Sequence, residues 1–243
     1  MAKRAGKTKR PARTGPARWR FRPLAWAGFL LLRITTIVVV VVTALVLLYT
    51  VVNPPITHTI WAEKRRLGSV DRQWAPLEAV APVMARSVVA AEDANFCRHW
   101  GFDVAAIRAA MEAGGTRGAS TLSQQVVKNV FLWQGRSWIR KALETAITLA
   151  VEAVWTKRRI LEVYLNVAEF DAGVFGVEAA SRRYFGIGAA DVGPQRAARL
   201  MAVLPDPKHR SPVSGTAFIR RRGAAIESGA ATIREDGRAD CFL

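Results

Sequence analysis

Two acidic residues, Glu92 and Glu144, flank a stretch of amide, hydroxyl and cationic side chains in the middle of the 243-residue chain. Glu92 ends an apolar segment and is followed by the aromatic residues Phe96 and Trp100. Such surroundings exclude water from a carboxylate and raise its pKa, and the neighbouring charge of Asp93 acts in the same direction. A carboxylate of this kind suits a general base, whereas an ordinary acid at a helix end is the alternative for this residue alone.

A group of polar side chains lies between the two acids, where a helix is expected to begin. It consists of Ser120, Thr121, Ser123, Gln124 and Gln125. Free backbone N–H groups and the helix dipole favour an anion such as phosphate at this position. Serine and threonine are also the preferred residues at helix starts, so an ordinary helix cap is the alternative interpretation.

Three cationic side chains follow this group: Lys128, Arg140 and Lys141. Lys128 lies one turn beyond Gln124 on the same predicted face, and together the three cations could hold a pyrophosphate. The alternative is a solvated helix face on which Arg140 pairs with Glu144, which would contribute only about a few tenths of a kcal/mol.

His99 is predicted to fix a loop rather than to bind a metal. The other two histidines, His58 and His209, lie far away in the sequence, so no pair has the spacing of metal ligands. Gly101, close to His99, would supply a turn conformation that other residues resist. The sequence therefore predicts no dedicated metal site.

Hydrophobic periodicity predicts that these residues lie on helices. Strand-like alternation is scarce, so the predicted fold is mainly α with at most a small sheet. A Gly114-Gly115 pair is expected to stop the helix that Asp103 caps, and the helix opened by Thr121 should carry a capping box with Gln124. The other predicted helices are Val83 to Glu92, Asp103 to Glu112, Trp138 to Trp155, Arg159 to Val167, Val177 to Phe185, Gln195 to Val203 and Ala217 to Ser228.

The N-terminal part of the chain predicts a membrane anchor. The formal charge of the chain is +17, and nine of its cations lie within residues 3–22 without any acid. The nineteen residues from Ile34 to Val52 carry no charge, and apolar character extends back to Leu24, which is close to the length that crosses a bilayer. The preceding cations place the N-terminus in the cytoplasm. A cleaved signal peptide is the alternative, but the stretch is longer than a typical signal and no Ala-x-Ala site follows it.

These observations divide the chain into five segments. They are a disordered basic arm over 1–23, a transmembrane helix over 24–52, an irregular connector over 53–82, the main domain over 83–230 and a C-terminal tail over 231–243. In the connector, Trp61, Leu67, Trp74 and Leu77 are expected either to pack on the domain or to lie at the membrane interface.

The two cysteines, Cys97 and Cys241, do not make a disulfide framework. Free thiols or small apolar fillers are the first expectation. A single bridge between them is the alternative if the domain lies outside the cytoplasm, where oxidising conditions permit it.

The order and spacing of these motifs resemble those of the peptidoglycan glycosyltransferases, the domain shared by class A penicillin-binding proteins and monofunctional biosynthetic transglycosylases. The resemblance covers about residues 55–225. Ser123 and Leu122 stand where threonine and isoleucine are usual. The matching runs are Glu92-Asp93-Ala-Asn-Phe96-Cys-Arg-His99-Trp-Gly101, Gly118-Ala-Ser120-Thr121-Leu-Ser-Gln124-Gln125 with Lys128-Asn129, Arg140-Lys141-Ala-Leu-Glu144, and Lys157-Arg-Arg-Ile160-Leu161-Glu162-Val-Tyr164-Leu165-Asn166.

The resemblance implies a lysozyme-like helical domain that polymerises lipid II, with inversion to a β-1,4 linkage and release of undecaprenyl pyrophosphate. It implies that Glu92 is the general base and that Glu144 is a second acid that helps to position the donor or its pyrophosphate. Lys128, Arg140 and Lys141 would bind phosphate groups, and Glu162 and Tyr164 would be mostly structural. The remaining implied substrate-binding residues are Asp93, Phe96, His99, Gly101, Ser120, Thr121, Gln124, Gln125 and Asn129.

The resemblance also favours the monofunctional type in the inner membrane of a Gram-negative bacterium. Neither a Ser-x-x-Lys nor a Lys-Thr-Gly motif occurs, which argues against transpeptidase chemistry. A divalent cation, Mg²⁺ or Mn²⁺, could help to neutralise the pyrophosphate. The expected partners are lipid II, the lipid-linked glycan strand, the membrane, and cell-wall synthesis or division proteins, with no nucleic acid among them.

Two other function classes would account for parts of this sequence. A peptidoglycan-cleaving lytic transglycosylase or lysozyme would share a helical fold and a key glutamate, but it would need neither the phosphate-binding cations nor an obligatory anchor. A nucleic-acid or anionic-lipid binder could use the basic arm, but the predicted span separates that arm from the domain.

Overall fold

The computed structural model describes residues 23–114, 118–135 and 137–243, and these residues form a mainly helical protein, as predicted. The helices are α1 (Pro23–Leu48), α2 (His58–Leu67), α3 (Pro82–Glu92), α4 (Val104–Glu112), α5 (Leu122–Phe131), α6 (Trp138–Val154), α7 (Lys157–Val167), α8 (Val177–Phe185), α9 (Pro194–Ala202) and α10 (Ala217–Glu235). The strands are β1 (Asp71–Arg72), β2 (Glu169–Asp171) and β3 (Val174–Phe175), and they form a small sheet in the order β1-β3-β2, with β1 parallel and β2 antiparallel to β3.

The chain divides into two units, Met1–Val41 and Val42–Leu243. The described part of the first unit belongs to α1. Within α1, residues Trp26–Leu48 make a 23-residue helix that is long and apolar enough to cross a membrane. Its large apolar side chains are mostly exposed, which is what a lipid-facing helix requires. The predicted basic arm over 1–22 lies outside the described residues.

Hydroxyl and carboxylate side chains start most of the site-bearing helices. At each start the side chain accepts a hydrogen bond from a backbone N–H that has no partner inside the helix. At α5 the bond is reciprocal, because the Gln124 side chain also accepts from the Thr121 backbone, which forms the predicted capping box. The capping residues are Thr57, Asp103, Thr121, Ser137, Thr156 and Thr216.

Two packed groups of helices form the core of the second unit. One joins α3, α9 and α10, and the other joins α5 to α6 and α7. Large side chains with no appreciable exposure fill the space between the elements, including Phe96, Tyr164, Phe170 and Phe242. The acid Glu92 ends a helix of the first group, whereas the cations lie on helices of the second.

The expectation of an irregular connector over 53–82 is wrong for its first half. Helix α2 begins within a few residues of Pro54-Pro55, because Thr57 caps it and Ile60 is buried against the domain. The aromatic residues and leucines of this connector differ in their exposure. Leu77 is buried and Trp74 packs partly against the core, whereas Trp61 and Leu67 are exposed.

Two predicted helix ends are also wrong. Helix α1 ends at Leu48 rather than Val52, and the carbonyls of Tyr49 and Val52 accept hydrogen bonds from Arg159 instead of continuing the helix. Helix α10 continues past Ser228 to Glu235, because Ile233 extends its buried face. Residues 231–243 are therefore not a loose tail.

Cys97 and Cys241 form a disulfide, with their Cα atoms 5.8 Å apart, so the expectation of two free thiols is wrong. The alternative that was left open, a single bridge, is the one observed. It joins the loop after α3 to the segment after α10, two regions that are separated by 144 residues in the sequence. Sequence spacing alone could not establish that these regions meet.

Candidate active site

Glu92 lies at the C-terminal end of α3, where the buried residues Met84, Val88 and Val89 anchor the helix in the core. Its side chain is only 16% exposed. Burial raises the pKa of the Glu92 carboxyl, and the charge of Asp93 adds to this effect. The hydrogen bond from Gln125 and the positive charges of Arg222 and Lys128 act in the opposite direction. The raised pKa predicted for Glu92 is therefore present, with several cationic or polar groups limiting the rise, whereas Trp100, which was expected to help to exclude water, is 58% exposed.

A chain of hydrogen bonds fixes the orientation of the Glu92 carboxylate. The buried Tyr164 hydroxyl donates to Gln125 Oε1 at 3.2 Å, and Gln125 Nε2 donates to Glu92 Oε2 at 3.1 Å. Burial raises the pKa of Tyr164 well above its usual value, so the phenol keeps its proton and remains a donor. Because the Tyr164 hydroxyl binds the oxygen of the Gln125 side-chain amide, the nitrogen of that amide faces Glu92.

Arg222, on α10, is a further neighbour of the carboxylate that the sequence analysis did not identify. Its Nη2 atom lies 3.5 Å from Glu92 Oε1 and also 3.5 Å from the carbonyl oxygen of Ala91. The residue belongs to a run of three arginines, which resembles an ordinary solvated surface. The buried positions Ile219 and Ile226 flank it at helical spacing, and that periodicity indicates that Arg222 lies near the inner face of the helix, although it does not indicate which residue it meets.

Asp93 is directed into the protein and connects two parts of the site. Its Oδ1 atom lies 2.8 Å from His99 Nε2, and its Oδ2 atom accepts from the backbone N–H of Leu122 at 2.9 Å. The carboxylate therefore ties the loop after α3 to the first turn of α5. His99 is placed as a residue that fixes this loop.

Gly101 and Thr121 form the other support of this loop. Gly101 has a φ of +82°, and an added Cβ would lie only 2.9 Å from Thr148 Cγ2, so a side chain is excluded there on two grounds. The Thr121 hydroxyl donates to the Gly101 carbonyl at 2.7 Å. Phe96 and Gln124 are buried, and of these residues Thr121 lines a small cavity together with Glu92. Their predicted contact with substrate stays a prediction.

Glu144 is almost completely buried and holds two cations. Arg140 Nη1 lies 2.6 Å from Glu144 Oε2, and Lys141 Nζ lies 2.5 Å from Oε1, while the Glu144 side chain is 4% exposed. Arg140 is further fixed by a bond from its Nε atom to the carbonyl of Gly135. The alternative of a solvated Arg140–Glu144 pair is wrong, because the pair is buried. Both carboxylate oxygens are engaged, so Glu144 acts as an anchor for the cations.

Arg140 and Lys141 each form an ion pair with Glu144, whereas Lys128, on α5, forms no ion pair with a carboxylate among the described residues. Burial lowers the pKa of its ammonium, and the adjacent charges of Arg140 and Lys141 act in the same direction. The negative charges of Glu144 and Glu92 oppose this shift. Lys128 therefore lies within electrostatic range of both acids, and an anionic ligand would supply the partner it lacks.

Three cavities adjoin these residues. The largest, of about 550 Å³, contains Gln125, Lys128 and Asn129 in its lining. Its lining also includes Glu63 and Lys208, which form an ion pair with a 2.7 Å separation. This pair could not be predicted from the sequence, because its members lie 145 residues apart.

The two smaller cavities contain further predicted site residues in their linings. One, of about 180 Å³, is lined by Glu92, Asp103 and the exposed Ser120. The other, of about 290 Å³, is lined by Arg140, Lys141 and Trp138. Helices α3, α5 and α6 therefore each bring predicted site residues to one of these cavities, and Tyr164 of α7 lines the largest of the three.

No cluster of three or more histidine, cysteine, aspartate or glutamate side chains suited to a metal occurs in the described ranges 23–114, 118–135 and 137–243. Glu144, the acid nearest the cations, already has both oxygens engaged. These described residues therefore do not form a metal-binding set of their own.

Residues 60–230 match the transglycosylase family, and since this is more than half of the sequence, the chain belongs to that family. A biosynthetic peptidoglycan transglycosylase from Jannaschia sp. is 51% identical over 248 residues, which cover 100% of this chain and 99% of the relative. Proteins of the same name from Rhodospirillum centenum and Caulobacter vibrioides are 54% and 41% identical, covering 72% and 81% of this chain and 77% and 87% of those relatives. The resemblance inferred from the motifs is confirmed.

Proposed function

We propose that the protein is a peptidoglycan glycosyltransferase that polymerises lipid II into β-1,4-linked glycan strands. The observation that carries this proposal is the pairing of a largely buried, oriented glutamate with a separate group of cations, of which Arg140 is buried, Lys128 is half-buried and Lys141 is 42% exposed. Glu92 can accept a proton, and Lys128, Arg140 and Lys141 can hold a diphosphate. Membership of the transglycosylase family and the names of the relatives support the same reaction.

In this mechanism Glu92 removes the proton from the 4-hydroxyl of the incoming lipid II. The hydroxyl oxygen then bonds to the anomeric carbon of the growing strand, and the bond from that carbon to the pyrophosphate breaks. The electron pair of the broken bond stays on undecaprenyl pyrophosphate. Attack opposite the leaving group inverts the anomeric centre, and no covalent enzyme intermediate is needed.

The cations stabilise the charge that develops on the departing pyrophosphate. Arg140 and Lys141 are held in place by Glu144, so they are oriented before substrate arrives. Lys128 reaches the same region from α5 and needs an anion to replace the solvation it has lost. The role proposed for Glu144 is therefore to position cations rather than to transfer a proton. A Mg²⁺ or Mn²⁺ ion, where bound, would supply further neutralisation of the pyrophosphate charge.

We further propose that α1 anchors the enzyme in the inner membrane, with residues 1–22 cytoplasmic and the catalytic unit periplasmic. The length and apolar character of Trp26–Leu48 support the anchor. The nine cations before it support the orientation. A disulfide in the catalytic unit suits an oxidising compartment.

We also propose that this chain has no transpeptidase activity, since it contains neither Ser-x-x-Lys nor Lys-Thr-Gly. Gel electrophoresis of products made from labelled lipid II tests the main proposal, and a ladder of glycan strands is the expected result. Release of muropeptides from finished sacculi, without any polymer from lipid II, would identify a cleaving enzyme instead. Adding a chelator to the same assay tests the metal.

A further inference from the structure

The last eight residues, Asp236–Leu243, fold back onto the loop that carries the active-site motif. We call them the C-terminal segment. Gly237, with a φ of +72°, turns the chain after α10. Ala239 and Phe242 are then buried, at 7% and 1% exposure. The segment therefore packs on the domain through two apolar side chains.

Three contacts join the C-terminal segment to residues 93–99, which we call the acid loop because it directly follows Glu92. The disulfide links Cys241 to Cys97. Arg238 Nη1 donates to the carbonyl oxygen of Ala94 at 3.1 Å. The Phe242 ring packs on Phe96, with centroids 6.2 Å apart. A covalent, a polar and an apolar contact therefore act on the same short loop.

The C-terminal segment is itself fixed from the other side by α7. Arg158 Nη1 donates to the carbonyl oxygen of Phe242 at 3.1 Å, and its Nη2 atom lies 2.5 Å from Glu78. Lys157 lies over the Phe96 ring, 4.5 Å from its centroid. The acid loop is thus enclosed between α7 and the C-terminal segment.

The acid loop sets the distance between the general base and the helix that orients it. One end of the loop continues from Glu92, and Asp93 within it binds the N-terminus of α5. Helix α5 carries Gln125, the residue that donates to Glu92. A displacement of the loop therefore separates Glu92 from Gln125 and from the small cavity beside Ser120.

We propose that the C-terminal segment is a positioning element for Glu92, with Cys97, Cys241, Arg238 and Phe242 as its positioning residues. The inference rests on the proposed function, since it takes Glu92 as the general base. None of the four residues is assigned to contact substrate. They act through the acid loop, so their loss should reduce the rate of the chemical step more than the binding of lipid II.

The test compares the full chain before and after reduction with a small dithiol. The dithiol converts the Cys97–Cys241 bridge into two thiols and is itself oxidised to a cyclic disulfide, and air or an oxidised thiol reverses the step. We expect kcat on lipid II to fall by about tenfold, while KM changes by less than about twofold, under conditions where circular dichroism shows a folded protein. Reoxidation should restore kcat in the wild type and not in Cys97→Ser.

Two substitutions separate positioning from general stability. Arg238→Gln removes the bond to Ala94 and the ion pair with Asp236 but leaves the disulfide, and it should also lower kcat even if the cysteine variants do not fold. Asp240→Asn changes an exposed side chain in the same segment and serves as the matched control with unchanged kcat. Hydrogen exchange of the amides over 93–99 should quicken in reduced protein and in Arg238→Gln, and not in Asp240→Asn.

Each result bears on a different claim. Unchanged kcat and unchanged amide exchange in folded, reduced protein would overturn the positioning role. A loss of activity that merely follows the unfolded fraction would also overturn it. If the oxidised wild type makes no polymer from lipid II, the proposed function fails, and the inference about Glu92 fails with it. Faster exchange over 93–99 would still reveal the mechanical coupling in that case.

Discussion

At the scale of single residues, the site works by opposing effects on a few buried charges. Water exclusion raises the pKa of Glu92, whereas Gln125, Arg222 and Lys128 limit that rise. The result is a carboxylate that is a stronger base than an exposed glutamate. Lys128 experiences the reverse balance, because burial disfavours its charge and the nearby acids favour it.

Glu92→Gln tests the base directly. The amide keeps the shape but cannot accept the proton, so we expect polymerisation to fall by at least about a hundredfold. Because the folded-state pKa of Glu92 is raised, its ionisation disfavours folding as pH rises above the usual range of a glutamate. The variant should therefore melt at an equal or higher temperature at pH 7. Near-normal turnover would exclude Glu92 as the base.

Arg222→Gln tests the electrostatic balance around the same carboxylate. The positive charge of Arg222 lowers the pKa of Glu92, so its removal should raise that pKa further. Since the base must be ionised, the acid limb of the kcat profile should move to higher pH. Arg221→Gln, on the exposed side of α10, is the matched control and should leave the limb in place. Equal profiles for the two variants would show that Arg222 does not act on Glu92.

Lys128→Ala tests the diphosphate site. A hydrogen bond to a charged group contributes about 1.5–3 kcal/mol, so kcat/KM for lipid II should fall by roughly ten- to a hundredfold. Thermal unfolding, followed in parallel, should show little loss, because the variant removes a desolvated cation. Lys64→Ala, on α2, is a control for charge alone. Turnover equal to that of the control would remove Lys128 from the phosphate-binding group.

At the scale of elements, the start of α5 is the joint on which the site depends. Thr121 caps this helix and also donates to the Gly101 carbonyl, and Asp93 binds the backbone of the next residue. Three separate segments therefore converge on one helical turn. The position of Gln125 and Lys128 follows from that turn.

Thr121→Ala should consequently destabilise the protein more than loss of an ordinary cap. Losing the cap costs about 1 kcal/mol, and leaving the Gly101 carbonyl without its partner adds about 1 kcal/mol. Thr156→Ala provides the comparison, since Thr156 caps α7 through the N–H of Arg159. Urea unfolding of both variants measures the difference. Equal destabilisation would show that the bond to Gly101 contributes nothing.

Local sequence rules predicted those elements whose signals are local. Helix α3 and the capping box of α5 follow from hydrophobic spacing and from Thr121 with Gln124, and both occur as expected. Helix α2 was missed because Pro54-Pro55 indicates a break, and Thr57, the cap that restarts the helix, has no capping-box partner. The end of α10 was set too early at Ser228, because Gly229 resembles a stop. A Cβ atom added at Gly229 would lie 3.2 Å from Ala90 Cβ, so the glycine permits α10 to pack closely on α3.

The parts of the site that the sequence could not predict depend on distant segments. Arg222 meets Glu92 across 130 residues, and Cys241 meets Cys97 across 144. No pattern along the chain encodes such meetings, since they result from the packing of α10 on α3 and α9. The acids and cations were identifiable because they occur in compact motifs.

At the scale of the whole molecule, charge is divided between two compartments in the proposed topology. The nine cations of residues 3–22 would remain on the cytoplasmic side, while the cations of the proposed diphosphate site would lie on the periplasmic side. Deleting residues 2–22 should therefore leave polymerisation of lipid II in detergent within about twofold of the full chain. Membrane insertion, followed by protease protection, should become less uniform, because the orienting charges are gone. A large loss of polymerisation in detergent would assign the arm a direct part in the reaction.

The bridge between residues 97 and 241 also bears on when the enzyme becomes active during its synthesis. Ribosomes make the chain from its N-terminus, so in the proposed topology Cys97 would cross the membrane before Cys241 is translated. A nascent chain would carry the whole glutamate motif without the partner that secures it. With the tenfold loss of kcat expected above for the open bridge, such a chain would join sugars at no more than about a tenth of the full rate.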